Sequence, residues 1–337
     1  MQKRRVGMIG AGWVSAYHLP AWQKRSAQAE IVAIADPSTQ SAQTRAGAFN
    51  IPAIYTDAAT MLARENLDIV DICAPREAHA DLVRLAAQAG VAIICQKPLA
   101  TDFAAASALI ADVASTTIMV HENWRFRAWY RRLRQWLDAG VAGDIRQVSL
   151  EFLSSGMIAG PDGQRPALVR QPFFRTQQRL LVMEVLIHHL DTLRFLLGEM
   201  DVIAARLERS NADITAEDIA AITLRRRSDG LLIHVTGNLA VHGAPPAPRD
   251  HLRIFGTRGT IELDGNSLTA SGENPNTEQF DADAVYQGSY DAAIAHFLDC
   301  LDAKKPFETA PADNMETLRL VEAIYALAQF DPAQEPR

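Results

Sequence analysis

The sequence predicts an α/β protein, a doubly wound parallel sheet followed by an α+β domain with a large, mostly antiparallel open sheet. Three observations carry this. Short β-branched apolar runs alternate with longer segments of helical period over the first third of the chain. A glycine turn, Gly10-Ala11-Gly12, follows the first of those runs and opens the first helix. After about residue 122 the rhythm changes to longer strand-like stretches separated by turn residues.

Val6 to Ile9, Ile31 to Ala35, Ile69 to Cys73, Val91 to Cys95 and Thr117 to Val120 lack the alternation of a half-solvated strand and read as strands buried on both faces. Thr39 to Phe49, His79 to Ala89 and Phe103 to Ala114 are rich in Ala, Leu and Gln and read as crossover helices. Trp129, Tyr130, Leu133, Trp136 and Leu137 keep helical spacing up to Gly140, a helix stop. Strands are then expected at Ile145 to Leu153, Val202 to Arg209, Ile219 to Arg226, Leu231 to Leu239, and Leu252 to Leu263 with a turn at Gly256 to Gly259. Ser228-Asp229-Gly230 makes a hairpin turn. Helices are expected at Val182 to Leu197, Tyr290 to Ala303 and Asn314 to Gln329. A length of 337 residues, at about 150 residues per domain, gives two domains, 1–122 and 123–337.

Hydrophobic residues at 48% and charged residues at 22% exclude a disordered, collagen-like or coiled-coil chain. Thirty-three basic against 40 acidic residues give a net charge of −7, the wrong sign for a protein that neutralises phosphates, so no nucleic-acid partner is expected. No run of about 18 apolar residues is present, so no membrane span is expected. The basic start at Lys3, Arg4 and Arg5 precedes an apolar run too short and glycine-rich for a signal peptide. Cys73, Cys95 and Cys300 are too few and too far apart for a disulfide framework or a zinc site. Buried thiols in a reducing, cytoplasmic compartment are expected, and no metal is predicted.

The glycine turn has the context that a dinucleotide fingerprint needs. Gly10 allows the tight turn, Gly12 lets the backbone approach a pyrophosphate, and the helix N-terminus supplies free N–H groups. Ser15 stands at the third glycine position and is small enough for helix-sheet contact. Asp36 ends the second strand, where a carboxylate accepts hydrogen bonds from the adenosine ribose hydroxyls and repels a 2′-phosphate. The expected cofactor is therefore NAD in preference to NADP.

Several segments in order resemble the Gfo/Idh/MocA family, the relatives of glucose-fructose oxidoreductase and inositol dehydrogenase. Gly10-Ala11-Gly12 with His18 is similar to the family's first turn and helix. Cys73-Ala74-Pro75-Arg76-Glu77-Ala78-His79 resembles its Thr-Pro-Asn-x-x-His segment, with Ala74 and Arg76 as departures. Cys95-Gln96-Lys97-Pro98-Leu99-Ala100 resembles its Glu-Lys-Pro motif, with Gln96 in place of glutamate. Glu184-Val185-Leu186-Ile187-His188-His189-Leu190-Asp191 is similar to its Asp-x-Gly-x-His-x-x-Asp helix, with Glu184 for aspartate and Leu186 for glycine. Arg253 to Glu262 is similar to its late hairpin.

The resemblance implies a Rossmann domain and an NAD(P)-dependent oxidoreductase that moves a hydride between the cofactor and a secondary alcohol or ketone of a sugar, cyclitol or related polyol. It implies a cofactor site of Gly10, Ala11, Gly12, Trp13, Val14, Asp36, Pro75, His79, Gln96 and Lys97, with Lys97 as catalytic lysine and His188 as catalytic histidine. It also implies a homodimer or homotetramer through the C-terminal sheet. Apolar residues on both strand faces, as in Leu231-Leu232-Ile233, agree with a covered outer face.

Oxidising a secondary alcohol needs a base within hydrogen-bond reach of the hydroxyl. His188 is the candidate, and Glu184, four residues earlier, shares its helix face and orients the imidazole. Lys97 follows a buried strand and precedes Pro98, and its ammonium can stabilise developing alkoxide charge. His189 and Asp191 compete for these roles, with Asp191 ranked as a supporting residue. Asn123 and Arg125 follow the last parallel strand and read equally as substrate contacts or interdomain packing. The segment Gln171 to Arg179 reads as a fold over the substrate, with Arg175 or Arg179 binding its hydroxyls or a carboxylate, or as a subunit-contact loop. The arginines from Arg125 to Arg134, interleaved with Trp129 and Tyr130, read as the solvated side of an amphipathic helix. Two alternatives stand beside the dehydrogenase: an NAD-assisted glycoside hydrolase and a non-catalytic dinucleotide-sensing regulatory protein.

Overall fold

A computed structural model describes residues 3–333. The chain forms two compact units, one made of the chain up to Phe126 with Tyr286–Leu318, the other of Arg127–Val285 with the chain from Arg319 onward.

The first unit is a parallel sheet of β1 (Arg4–Ile9), β2 (Ala29–Ala35), β3 (Ala53–Tyr55), β4 (Ile69–Ile72), β5 (Ala92–Gln96) and β6 (Ile118–His121) in the order β3-β2-β1-β4-β5-β6. The crossovers are α1 (Ser15–Lys24), α2 (Thr39–Phe49), α3 (Ala58–Arg64), α4 (Arg76–Gln88) and α5 (Phe103–Asp112). Strand order reverses at β1, which pairs with both β2 and β4, so the carboxyl ends of these strands border the crevice where such sheets take ligands. The buried strands predicted from apolar runs are found within two residues of their expected starts. β3 and α3 were not expected, because three and seven residues are too few to show a period.

The second unit carries α6 (Ala128–Asp138), β7 (Ile145–Leu153), α7 (Pro166–Arg170), α8 (Ile187–Leu197), β8 (Met200–Glu208), β9 (Ile219–Arg226), β10 (Leu232–Asn238), β11 (Arg249–Gly256), β12 (Gly259–Asp264), β13 (Ser267–Gly272) and β14 (Asn276–Gln279). The sheet order is β14-β13-β12-β11-β7-β10-β9-β8, antiparallel except where β10 runs parallel to β7. β14, Asn-Thr-Glu-Gln, has no apolar residue to announce it, and β13 has only the short alternation of Leu268 and Ala270.

Two expectations are corrected. A second domain running unbroken from 123 to 337 does not describe the contacts, since α9 (Ala282–Ala303) and α10 (Pro311–Ala328) contribute Tyr286–Leu318 to the first unit. There Ile294, Phe297 and Leu298 share a core with Met8, Leu19 and Trp22. The outer face of the large sheet is also not apolar. Along β10, Ile233 and Val235 are buried while Leu232, His234 and Thr236 are exposed. Neighbouring strands pair Arg253 with Glu151 at 3.0 Å and His251 with Glu262 at 2.8 Å. This is the ordinary alternation of a sheet with one solvated face.

Candidate active site

Gly10 follows β1 with φ +100°, and a Cβ there would lie 2.7 Å from the carbonyl carbon and oxygen of Cys73. Only glycine fits that combination of backbone angle and close approach. A Cβ on Gly12 would meet nothing within 4 Å, so the backbone at this position borders open space. The Ala11 N–H donates to Asp36 Oδ2 at 2.7 Å, and the Ser38 N–H donates to Oδ1 at 2.8 Å. Ser15 is buried and its hydroxyl donates to the Gly12 carbonyl at 2.7 Å. α1 starts without a side-chain cap, and its Ala16 and Tyr17 N–H groups donate to the Trp13 and Val14 carbonyls at 3.2 and 3.0 Å. A glycine turn open at Gly12, an uncapped helix start and a carboxylate at the end of β2 fit a dinucleotide. Trp13, 58% exposed, and the partly buried Val14 lie on the same turn. Arg45 of α2 reaches back to the Gly12 carbonyl at 3.1 Å, a contact that no local motif announces.

Lys97 follows the last residue of β5. Its N–H donates to Gln96 Oε1 at 3.2 Å, while Gln96 Nε2 faces His18 Nε2 at 2.7 Å and His121 Nδ1 at 3.1 Å. His18 Nδ1 meets Asp71 Oδ2 at 2.8 Å, and the Trp22 indole N–H donates to the same oxygen at 2.7 Å. On the other side of Lys97, Pro98 follows a cis peptide bond and its carbonyl lies 2.7 Å from Nδ1 of the buried His79. The second ring nitrogen of His79 faces the Ala74 carbonyl at 2.8 Å, beside Pro75, which precedes α4. Burial holds His79 below its ordinary value, against the pull of the two carbonyls. His79 thus ties the 74–75 turn to the 97–98 turn. The sequence singled out none of the His18–Asp71 pairing, because the partners stand 53 residues apart.

His18, Asp71 and Cys73 place ligand-type atoms within 4.8 Å of one another. Burial pushes the Cys73 thiol well up, with the Asp71 charge acting in the same direction, and the Asp71 oxygen nearest His18 also accepts an indole N–H. The Asp71 carboxylate is thus engaged by both the His18 ring and the Trp22 indole.

In the second unit, Glu184 belongs to a π-helical turn, Leu181–Leu186, that runs into α8, and His188 is the second residue of α8. The π turn changes the rotation per residue, so the four-residue spacing no longer means what it means in a continuous α-helix. His188 is 8% exposed and Glu184 partly buried. The next residue, His189, is fully buried, with Nε2 2.9 Å from Asp250 Oδ1. Asp191 is fully buried in α8.

Two substrate candidates are engaged inside the first unit. Asn123 Nδ2 donates to Ser289 Oγ at 2.7 Å, and Arg125 donates to the Glu308 carbonyl at 2.9 Å and Asp313 at 2.7 Å. Both are nearly buried against the returning C-terminal segment, which favours their packing role. Arg175 stays exposed at the end of a short turn, Pro172–Arg175.

Residues 4–123 match the family model for the Gfo/Idh/MocA oxidoreductase family, NAD-binding Rossmann fold, and residues 130–262 match the Gfo/Idh/MocA C-terminal domain. The chain belongs to the Gfo/Idh/MocA family. It is 34% identical to a D-apiose dehydrogenase of Paraburkholderia graminis, over 98% of this chain and 88% of that protein. It is 27% identical to an inositol 2-dehydrogenase of Rhizobium meliloti, over 98% of this chain and 95% of that protein. Among solved structures it resembles an oxidoreductase from Agrobacterium radiobacter in complex with NAD+, L-tartaric acid and magnesium, with TM-score 0.88, 30% identity and 97% of each chain covered. Gfo/Idh/MocA membership makes this protein an NAD(P)-dependent oxidoreductase acting on CH–OH groups, with residues 4–123 as its NAD-binding Rossmann domain. The hydrolase and regulatory alternatives find no support in these relatives.

Proposed function

We propose that this protein is an NAD-preferring dehydrogenase that oxidises a secondary alcohol of a sugar, cyclitol or related polyol, or reduces the matching ketone. The substrate class is supported by relatives named for D-apiose and inositol. The observation that carries the catalytic part is the bracing of residue 97, with Gln96 holding its N–H and His79 meeting the following carbonyl. A side chain whose backbone is fixed on both sides is preorganised for catalysis.

In this reading the dinucleotide is held by Gly10, Ala11, Gly12, Trp13, Val14, Asp36, Pro75, His79, Gln96 and Lys97, and when bound it supplies the hydride acceptor. Lys97 hydrogen-bonds the substrate oxygen and stabilises its developing negative charge. His188 takes the hydroxyl proton. Glu184 orients His188, and Arg175 meets substrate from its exposed turn. Asp36 sets the preference for NAD, since its carboxylate repels a 2′-phosphate.

A homodimer or homotetramer formed through the C-terminal sheet belongs to the same proposal. Sedimentation at low concentration tests it, and a monomer would refute it. A cytoplasmic location is supported by three buried cysteines, all outside any disulfide. Among the described residues, no helix is long and apolar enough to cross a membrane.

The deciding experiment incubates the protein with NAD and a panel of sugars, cyclitols and polyols while following reduced-nicotinamide absorbance. Lys97→Ala is expected to lower turnover at least about 100-fold, the scale of a lost transition-state donor, while NAD still binds. Turnover retained in Lys97→Ala would remove Lys97 from the mechanism.

A further inference from the structure

Gln96 stands where the family's motif carries glutamate, and its surroundings are built for an amide. A glutamine side chain offers two N–H donors and one carbonyl acceptor. Here the carbonyl accepts from Lys97 N–H, and the two donors face His18 Nε2 and His121 Nδ1. The reverse amide orientation would set an NH2 against the Lys97 N–H. It would also require a proton on His18 Nε2, leaving a neutral ring to turn the Nδ1 lone pair toward the Asp71 carboxylate. One arrangement satisfies every contact that Gln96 makes: neutral His18 with its proton on Nδ1, neutral His121 with its proton on Nε2, and Asp71 ionised.

We propose that Gln96 is a positioning residue for Lys97, and that the chain Asp71–His18–Gln96 fixes the Lys97 backbone without placing a net charge on His18. The inference rests on the reading of Lys97 as the residue that acts on substrate. A glutamate at 96 has no donor, so the same contacts would need protons on both His18 Nε2 and His121 Nδ1. His18, already donating to Asp71, would then have to be an imidazolium between two carboxylates. Amide and acid therefore give different pH behaviour at one position.

The groups that face His18 are Asp71 and Cys73 from the end of β4, Gln96 from β5, His121 from β6, Trp22 from its own helix and Tyr290 from α9. In Gln96→Glu the network holds while His18 is doubly protonated and fails as it loses that proton. The kcat/KM of the variant should therefore gain a descending limb toward high pH that the native protein lacks. Gln96→Met, which removes donors and acceptor together, should lower kcat about tenfold, the loss of one hydrogen bond's worth of positioning, and add no such limb.

Long-range 15N–1H correlation spectra of the native protein read the histidine protonation directly, with His18→Gln and His121→Gln giving the assignments. The expected pattern is a neutral His18 protonated at Nδ1 and a neutral His121 protonated at Nε2. A His18 protonated at Nε2 or on both nitrogens at neutral pH would overturn the proposal, as would a Gln96→Glu profile that follows the native one. If Lys97→Ala keeps turnover while the spectra show the expected pattern, the reading of Lys97 fails and the hydrogen-bond assignment survives it.

Discussion

The carboxylate of Asp250, on β11, lies 2.9 Å from Nε2 of His189, the residue that directly follows His188 in α8. Neighbouring residues on an α-helix point about 100° apart, so fixing His189 also fixes the direction of His188. Asp250 accepts as well from the Tyr130 hydroxyl at 2.7 Å and from Arg127 at 3.0 Å. Burial alone would raise its pKa, but His189, Arg127 and Tyr130 outweigh that and hold the carboxyl well below its usual range. A depressed folded value means stability that is present above the unfolded value, about pH 4, and lost only as pH falls through the lower folded one.

Asp250→Ala leaves Arg127 and His189 buried opposite no carboxylate, and is expected to cost about 3–5 kcal/mol by denaturant unfolding. Asp250→Asn retains the acceptor without the charge and should cost less. A loss under about 1 kcal/mol for the alanine variant would show that the cluster contributes little.

Gly10 and Gly12 differ in what a methyl group would meet. Gly10→Ala forces a Cβ against the Cys73 backbone at positive φ and should lower Tm and weaken NAD binding together. Gly12→Ala adds a methyl to open space, so Tm should stay within a few degrees while NAD affinity falls about tenfold or more, about 1.4 kcal/mol. Calorimetry with and without NAD separates the two, and full NAD affinity in Gly12→Ala would place the pyrophosphate elsewhere.

What the sequence revealed and what it hid have physical causes. Thr39–Phe49 and Ile145–Leu153 stand within their expected bounds, the helix burying Ala42 and Ala46 four residues apart and the strand burying Val148, Leu150 and Phe152 at alternate positions. The glycine turn was legible because Gly10, Gly12 and Asp36 meet through adjacent strand ends. Asp71, inside the run Ile-Val-Asp-Ile, reads as one more strand residue, and its partners Trp22 and His18 lie 49 and 53 residues away. Helical period likewise announced α9 but not the sheet its apolar face meets, which is why its return to the first unit was missed. The π turn under Glu184 is held from Glu217, more than thirty residues on, and leaves no local trace.

Asp36 performs two tasks, accepting the Ala11 N–H and presenting charge at the end of β2. Asp36→Ala should therefore weaken NAD binding while relieving repulsion of NADP. The ratio of the NADP to the NAD dissociation constant should fall at least about tenfold, the size of one charged contact, in a fluorescence titration of both reduced cofactors. An unchanged ratio would assign cofactor choice to other residues.

Glu217 is fully buried and accepts from the N–H groups of Leu180 and Val182, at 3.3 and 3.0 Å, and from the Tyr325 hydroxyl at 2.6 Å. These donors favour its charged form, yet burial dominates and raises the pKa above 4.5. A raised carboxyl binds more protons folded than unfolded between the two values. Its ionisation therefore costs stability at neutral pH, and the cost is relieved as pH falls through the folded value. Glu217→Gln removes the ionisation and keeps one acceptor oxygen, where the native carboxylate takes Val182 and Tyr325 at Oε1 and Leu180 at Oε2. Its stability at pH 7 should stay within about 1 kcal/mol of the native protein, since a lost hydrogen bond and a relieved charge nearly offset, and its pH dependence in mildly acidic solution should be flatter. Unfolding at a series of pH values checks both. Because Glu217 seats the turn that carries Glu184, a lower kcat in this variant with unchanged NAD affinity would mark the turn as part of the catalytic geometry.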